Sequence, residues 1–212
     1  MPHLPSTYPL FLAGAMILLL IPGPAVFYIL SRTIGQGRKA GVVSAAGIAT
    51  GTLVHATAAA LGLSAILVSS AQAFHVVQFA GAIYLVFLGV KTLLGRDDAQ
   101  VPVNAAPHSL PRVYGQGLVV NLLNPKTALF FLAFLPQFVD ASHGHVAAQI
   151  FFLGVSFALL GLLSDSSWAM LAGTLAGRLR SSLRWRRLQR NISGSSLIAL
   201  GIATAISGSR TK

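Results

Sequence analysis

The amino-acid sequence predicts an all-α, polytopic membrane protein of about six transmembrane helices, arranged as two inverted three-helix repeats. Three observations lead there: a composition that is 54% hydrophobic and only 9% charged, a series of apolar stretches of spanning length, and a motif in the first stretch that returns in the fourth. A soluble domain carries about 25% charged residues, and the mean hydropathy here is +0.73. The 212 residues include no cysteine, which excludes thiol chemistry, disulfides and thiolate metal sites. The formal charge of +11 gathers at the ends of apolar segments rather than on a basic face interleaved with aromatics. That pattern suits a lipid bilayer and argues against nucleic acid.

A spanning helix needs ~20 mostly apolar residues. Stretches at about 9–31, 41–69, 74–94, 117–139, 147–176 and 192–208 reach this length or come close to it. The first follows a segment, Met1 to Pro9, without Lys or Arg. It therefore lacks the positive start of a cleavable signal peptide and reads as a retained span. The second contains "GIATG" at 47–51, a small-xxx-small pattern that allows close helix packing. After the third comes "GRDDAQVPVNAAPHSLPR", polar, with three prolines and no periodicity; it reads as a linker over about 95–116. The sixth stretch, with Ser193, Gly194, Ser195 and Ser196 near its start, is the shortest. Losing either terminal span would reduce the count to five.

Cations set the orientation. Arg32, Arg38 and Lys39 lie at the first connection, Lys91, Arg96 and Arg112 flank the third, and the fifth holds six arginines from Arg178 to Arg190. The second and fourth connections have none. Odd loops are therefore expected in the cytoplasm and both termini outside, although Arg210 and Lys212 oppose the latter placement.

The repeat shows in the prolines. "LLIPGPAVFYILS" (19–31) is echoed at a constant offset by "LLNPKTALFFLAF" (122–134), pairing Pro22 with Pro125, Ala25 with Ala128 and Phe27 with Phe130. The same offset pairs Gly14 with Gly117 and Gly51 with Gly154. This gives one repeat over about 9–94 and a second over about 117–208. An odd number of spans per repeat turns the second upside down relative to the first, the arrangement in which interrupted helices of secondary transporters mark a central site. Proline in a helix costs about 3 kcal/mol or more, and the backbone groups it frees cannot be satisfied by hydrocarbon. Two breaks in register, at Pro22-Gly23-Pro24 and at Asn124-Pro125, are thus expected to wall a polar cavity; packing kinks are the alternative.

Few ionisable residues fall inside spans: Asp165, Lys126 and His55. A charge at the bilayer centre costs about 2.5–3.5 kcal/mol on insertion scales, so such residues face a cavity or a partner. At a rise of ~1.5 Å per residue, Lys126 and Asp165 are expected at comparable depth, close enough to pair. His55 serves either the pathway or a hydrogen bond to a neighbouring helix. "GQGRKAG" (35–41) follows no strand and is no dinucleotide loop, and no hydrolase motif or paired intramembrane aspartates occur. The chain is therefore not expected to be an enzyme or to need a cofactor. His143 and His145 alone make a weak metal site.

The runs "IPGP", "GRKAG", "GIATG", "GLSAIL", "GAIYLVFLGVKTL" and "NPKTALFFLAFLPQF" resemble the LysE/RhtB family of amino-acid exporters, and most of all its RhtB branch for homoserine, threonine and neutral amino acids. The resemblance covers about residues 10–175. It implies a multi-pass protein of the bacterial inner membrane that exports amino acids, driven by the proton motive force, and it allows for a homodimer. The family's PGP falls on Pro22, Gly23 and Pro24, its NPK on Asn124, Pro125 and Lys126, and its fifth-helix acid on Asp165. The aromatic after that acid stands three residues on, at Trp168, which departs from the family pattern.

The expected function is proton-coupled export of small amino acids by alternating access. Lys126 would draw the solute carboxylate, and Asp165 would bind a proton or the solute ammonium. A metal-cation or other small-solute exporter has too few ligands to match it. A non-transporting membrane protein is the other alternative.

Overall fold

The computed structural model describes residues 7–69 and 108–179, together with isolated positions within 76–94 and 191–206. Its described elements are all helical, with no strand among them. The first group is α1 (Tyr8–Leu20), α2 (Pro24–Gln36) and the long α3 (Arg38–Ser69). The second is α4 (Leu110–Leu122), α5 (Pro125–Leu129) and the long α6 (Val146–Leu179). Between α5 and α6 run a π-helical turn at Phe130–Phe134 and 3-10 turns at Leu135–Phe138 and Ala141–His143. Twice, then, a bent pair is followed by one long helix. The bends are close to equal: 51° between α1 and α2, and 49° between α4 and the segment Pro125–Phe138.

Arg38–Gly62 and Val146–Thr174 are each long and apolar enough to cross a membrane, and counting each bent pair as one span gives up to four among the described residues. This is a polytopic, all-α membrane protein. The third and sixth expected spans, 74–94 and 192–208, lie for the most part outside the described residues, as does 95–107.

Two boundaries differ from the sequence-based expectation. The span expected at 9–31 is two helices separated by Ile21, Pro22 and Gly23. The span expected from 117 starts at Leu110, so residues 110–116 belong to a helix and not to the linker. Pro111 does not prevent this, because it stands in the first turn. A first-turn residue has no intrahelical partner for its N–H, so a proline there loses nothing.

Hydrocarbon gives little hydrophobic incentive for helices to associate, so close packing must supply it. α3 packs along α6 and α4. At the α3–α4 crossing a Cβ on Gly47 would run into the Tyr114 carbonyl, and one on Gly117 would sit 2.7 Å from the Ser44 carbonyl oxygen. Backbone touches backbone there, as the "GIATG" pattern implies. Elsewhere aromatics fill the interior: Phe11, Phe130, Phe131 and Phe157 are all buried, with Phe130 stacked on Phe157 at 3.9 Å between centroids. The wide π-turn lets Phe130, Phe131 and Phe134 all point inward. Outward, α6 presents Phe151, Leu159, Leu163 and Leu171, a face suited to lipid.

Candidate functional site

The first break is made of acceptors. The last four carbonyls of a helix have no intrahelical partner, and Pro22 and Pro24 have no N–H to offer. Two carbonyls at this end, of Leu18 in the last turn of α1 and of the capping Ile21, converge on one cation from α5: Lys126 Nζ donates to the Leu18 oxygen at 2.7 Å and to the Ile21 oxygen at 2.6 Å, and the Leu18 oxygen also accepts from the Ile21 N–H at 3.3 Å. A hydrogen bond from a charged donor contributes about 1.5–3 kcal/mol, against an insertion cost of about 2.5–3.5 kcal/mol for a lysine at the bilayer centre. Two such bonds therefore suffice to hold the ammonium. Gly23 gives the lysine stem its passage. Its φ of −126° and ψ of −169° suit any residue, but a Cβ there would lie 3.3 Å from Lys126 Cδ.

The second break carries its own polar side chains. Asn124 takes the extended conformation that a following proline imposes. Its Oδ1 accepts from the Lys126 backbone N–H at 3.1 Å, capping α5. Three residues earlier, Asn121 is almost fully buried. Its Nδ2 donates to the Ile48 carbonyl at 2.8 Å and to Thr52 Oγ1 at 2.9 Å, both on α3. Its Oδ1 accepts from Thr127 Oγ1 at 2.9 Å. One side chain thus ties the break to α3 and spans the gap between α4 and α5.

Asp165 enters from α6, 5% exposed, and forms no hydrogen bond or ion pair among the described residues. It lines one cavity with Gly23, Asn121, Asn124 and Lys126. The expected contact between Lys126 and Asp165 is not made: the two residues line one cavity, while the lysine gives two of its donors to the carbonyls. The free volume is about 40 Å³, on the scale of water molecules and far below the ~300 Å³ or more of a typical ligand pocket. This space is too small to hold a ligand of that size.

The other expected site residues divide. Pro22, Pro24 and Pro125 shape the two breaks but do not line the cavity. His55 lies apart from it, in a separate, largely apolar cavity of about 240 Å³ beside Ala58, Phe131 and Leu132. Its ring stacks on Phe131 at 6.0 Å. Its Nε2 sits 3.1 Å from the Asn121 carbonyl oxygen, which makes Nε2 the protonated nitrogen. His55 thus reaches the site only through the Asn121 backbone. Asn121, Thr52 and Thr127, which are neither ionisable nor part of a proline break, are not among the sequence-predicted site residues. An asparagine inside an apolar run was the available signal, since buried amides need partners.

A second cluster joins the two bent pairs away from the cavity. Tyr28 donates to the Val113 carbonyl at 2.8 Å, and Arg32 donates to Gln116 Oε1 at 2.9 Å. Gln36 donates to the His108 carbonyl at 2.8 Å. Desolvation, and then the Arg32 and Arg112 charges, hold the His108 imidazole below its usual value. Among the described residues no three His, Asp or Glu stand together as a metal-holding group.

The profile of the LysE type translocators matches residues 16–208. The chain is 30% identical over 203 residues to the leucine efflux protein of Klebsiella pneumoniae, covering 94% of this chain and 93% of that one. It is 31% identical over 166 residues to the leucine efflux protein of Salmonella typhimurium, covering 72% and 75%. It is 30% identical over 205 residues to the uncharacterized membrane protein YrhP of Bacillus subtilis, covering 91% and 95%. No solved structure matches. With two helix breaks enclosing a buried acid, and a family profile spanning nearly its whole length, this chain is a membrane transporter, not an enzyme, and belongs to the LysE type translocator family.

Proposed function

We propose that this translocator exports neutral amino acids from the bacterial cytoplasm across the inner membrane, exchanging them for protons at Asp165. The observation that carries the reading is Asp165 itself: a buried carboxyl without a hydrogen-bond partner among the described residues, in a cavity between two broken helices. An intramembrane acid facing a cavity is expensive unless it is used, and ion or proton pathways are the usual use. Such a carboxyl can hold a proton in one state and a solute ammonium in the other.

The solute class follows from the walls and the relatives. Leu18, Val26, Ile48 and Phe157 line the apolar side of the cavity, which suits an aliphatic side chain. The leucine efflux proteins among the relatives make leucine the first solute to test. Homoserine and threonine remain in the proposed class, as neutral amino acids of similar length.

Alternating access would come from two inverted repeats rocking about the site. The repeated order of bent pair and long helix supports this reading, as do the near-equal bends. The cavity must widen to admit a solute, so the two breaks are the expected hinges.

The test is efflux from cells preloaded by feeding leucine-, threonine- and homoserine-containing dipeptides, with and without the protein and a protonophore. Protein-dependent efflux that the protonophore abolishes supports the reading. Asp165→Asn should insert normally yet lose the pH dependence of efflux, with rates down about 100-fold, the low end of what a positioned proton-transfer group supplies. Unchanged, pH-dependent efflux in that variant rules out the coupling role.

A further inference from the structure

We propose that the Leu18 and Ile21 carbonyls form a receptor for a primary ammonium group, filled in this state by the chain's own Lys126 and emptied when the α-ammonium of a solute displaces it. The proposal rests on the amino-acid reading of the same cavity and adds to it the atoms that recognise the solute's amine.

The geometry has three parts. First, two carbonyl oxygens meet a single nitrogen at 2.7 and 2.6 Å; the flanking prolines add no N–H, and the Ile21 N–H reaches the Leu18 oxygen only at a longer 3.3 Å. Second, the occupant is tethered and comes from elsewhere in the chain. Lys126 belongs to the second break, and its stem crosses the first where Gly23 leaves room. Third, Asp165 lines the same cavity and has no hydrogen-bond partner among the described residues. An ammonium has three donors; a solute amine on the two carbonyls keeps one for this carboxylate.

Displacement has a consequence for selectivity. Lys126, once released, is a buried cation without its acceptors, and a buried charge needs a partner. A solute that brings a carboxylate along with its ammonium provides that partner. An amine alone frees the lysine without compensating it, and a carboxylic acid alone cannot displace it. The affinity order is therefore amino acid, then amino-acid amide, then carboxylic acid. The small size of the present cavity fits this exchange, because withdrawal of the lysine stem creates the space that the solute enters.

A tethered occupant also lowers the apparent affinity of any amine by the fraction of time the receptor is open. Removing it should reverse that. The full chain is purified into lipid nanodiscs, and binding of leucine, leucinamide, 4-methylpentanoate and ethylammonium is followed by calorimetry and thermal unfolding. In the unsubstituted protein leucine binds best and 4-methylpentanoate not at all. In Lys126→Ala, leucinamide should bind about tenfold tighter than it does to the unsubstituted protein. Ethylammonium should raise the unfolding temperature of the variant only. Lys126→Met keeps the packing of the stem and serves for the same measurements if the alanine variant does not fold.

Loss of leucinamide binding in both variants, or indifference of both to ethylammonium, overturns the receptor. The two readings fail separately. If the unsubstituted protein binds and exports no amino acid while ethylammonium still stabilises the variants, the receptor stands and the amino-acid assignment falls. If leucine is bound and exported but the variants ignore both amines, the assignment stands and the receptor falls.

Discussion

At the first helix break, Pro22-Gly23-Pro24, no residue carries a polar side chain, and the Leu18 and Ile21 carbonyls are met by a lysine from α5. At the second break, Asn124 caps the restarting helix while Asn121 and Thr127 bond to each other across the gap. The sequence offset between the two breaks matches Leu18 with Asn121, Ile21 with Asn124 and Gly23 with Lys126. The matched positions hold complementary chemistry: backbone acceptors on one side, amides and a cation on the other. The second break supports itself and the first depends on it. The bonds at the first break are made to a residue of another helix, whereas those at the second are made largely by its own side chains.

That asymmetry can be broken from either side. The largest effect is expected from Asn121→Leu, which removes the amide joining the second break to α3 and strips a partner from Thr52, Thr127 and the Ile48 carbonyl. Interhelical polar contacts in membranes contribute about 0.6 kcal/mol each, at most about 1.7, so the variant should lose about 2 kcal/mol. Reversible unfolding of the reconstituted protein measures this, and a loss below a few tenths would mean that the second break does not hold itself together. Thr127→Val removes one bond of that set and should cost about 0.6 kcal/mol on the same scale.

Gly23→Ala should change stability least, by a few tenths of a kcal/mol, because its backbone conformation is open to alanine and the contact is with a flexible lysine stem. Its effect should appear in transport instead. The added methyl group presses on Lys126 Cδ and should alter the efflux rate of leucine at unchanged protein level. Equal rates for Gly23→Ala and the unsubstituted protein would show that the lysine adjusts freely around the first break.

Much of this was legible in the chain of letters. Prolines amid apolar residues announce a break wherever they fall, since the missing N–H and the ring clash act locally. Asp165 and Lys126 stand out because ionisable groups are rare in spans. The family likeness, carried by "IPGP" and by "NPK" through "PQF", survives in the profile match over residues 16–208. Other features were not legible. Pro111 looked like part of a linker because a proline outside a helix and one in its first turn read alike. The role of Asn121 was invisible because an amide in an apolar run reveals its need for partners but not which partners it finds. His55, at a plausible depth, lies on the side of α3 that faces Phe131 and not Asp165. Depth along a helix can be counted from sequence; rotation about its axis is set by what packs against it.

The sequence by itself determined that this protein lives in a membrane, that two of its helices are interrupted at matching places, and that a single acid and a single lysine are carried into the spans of the region described. These are local consequences of apolarity, proline and charge. Only the tertiary structure decided that the lysine rests on carbonyls 105 and 108 residues away rather than on the acid. Both partners were open to it. The choice belongs to the packing of α1 against the second break, because a backbone carbonyl looks the same in every residue until the fold brings a donor to it.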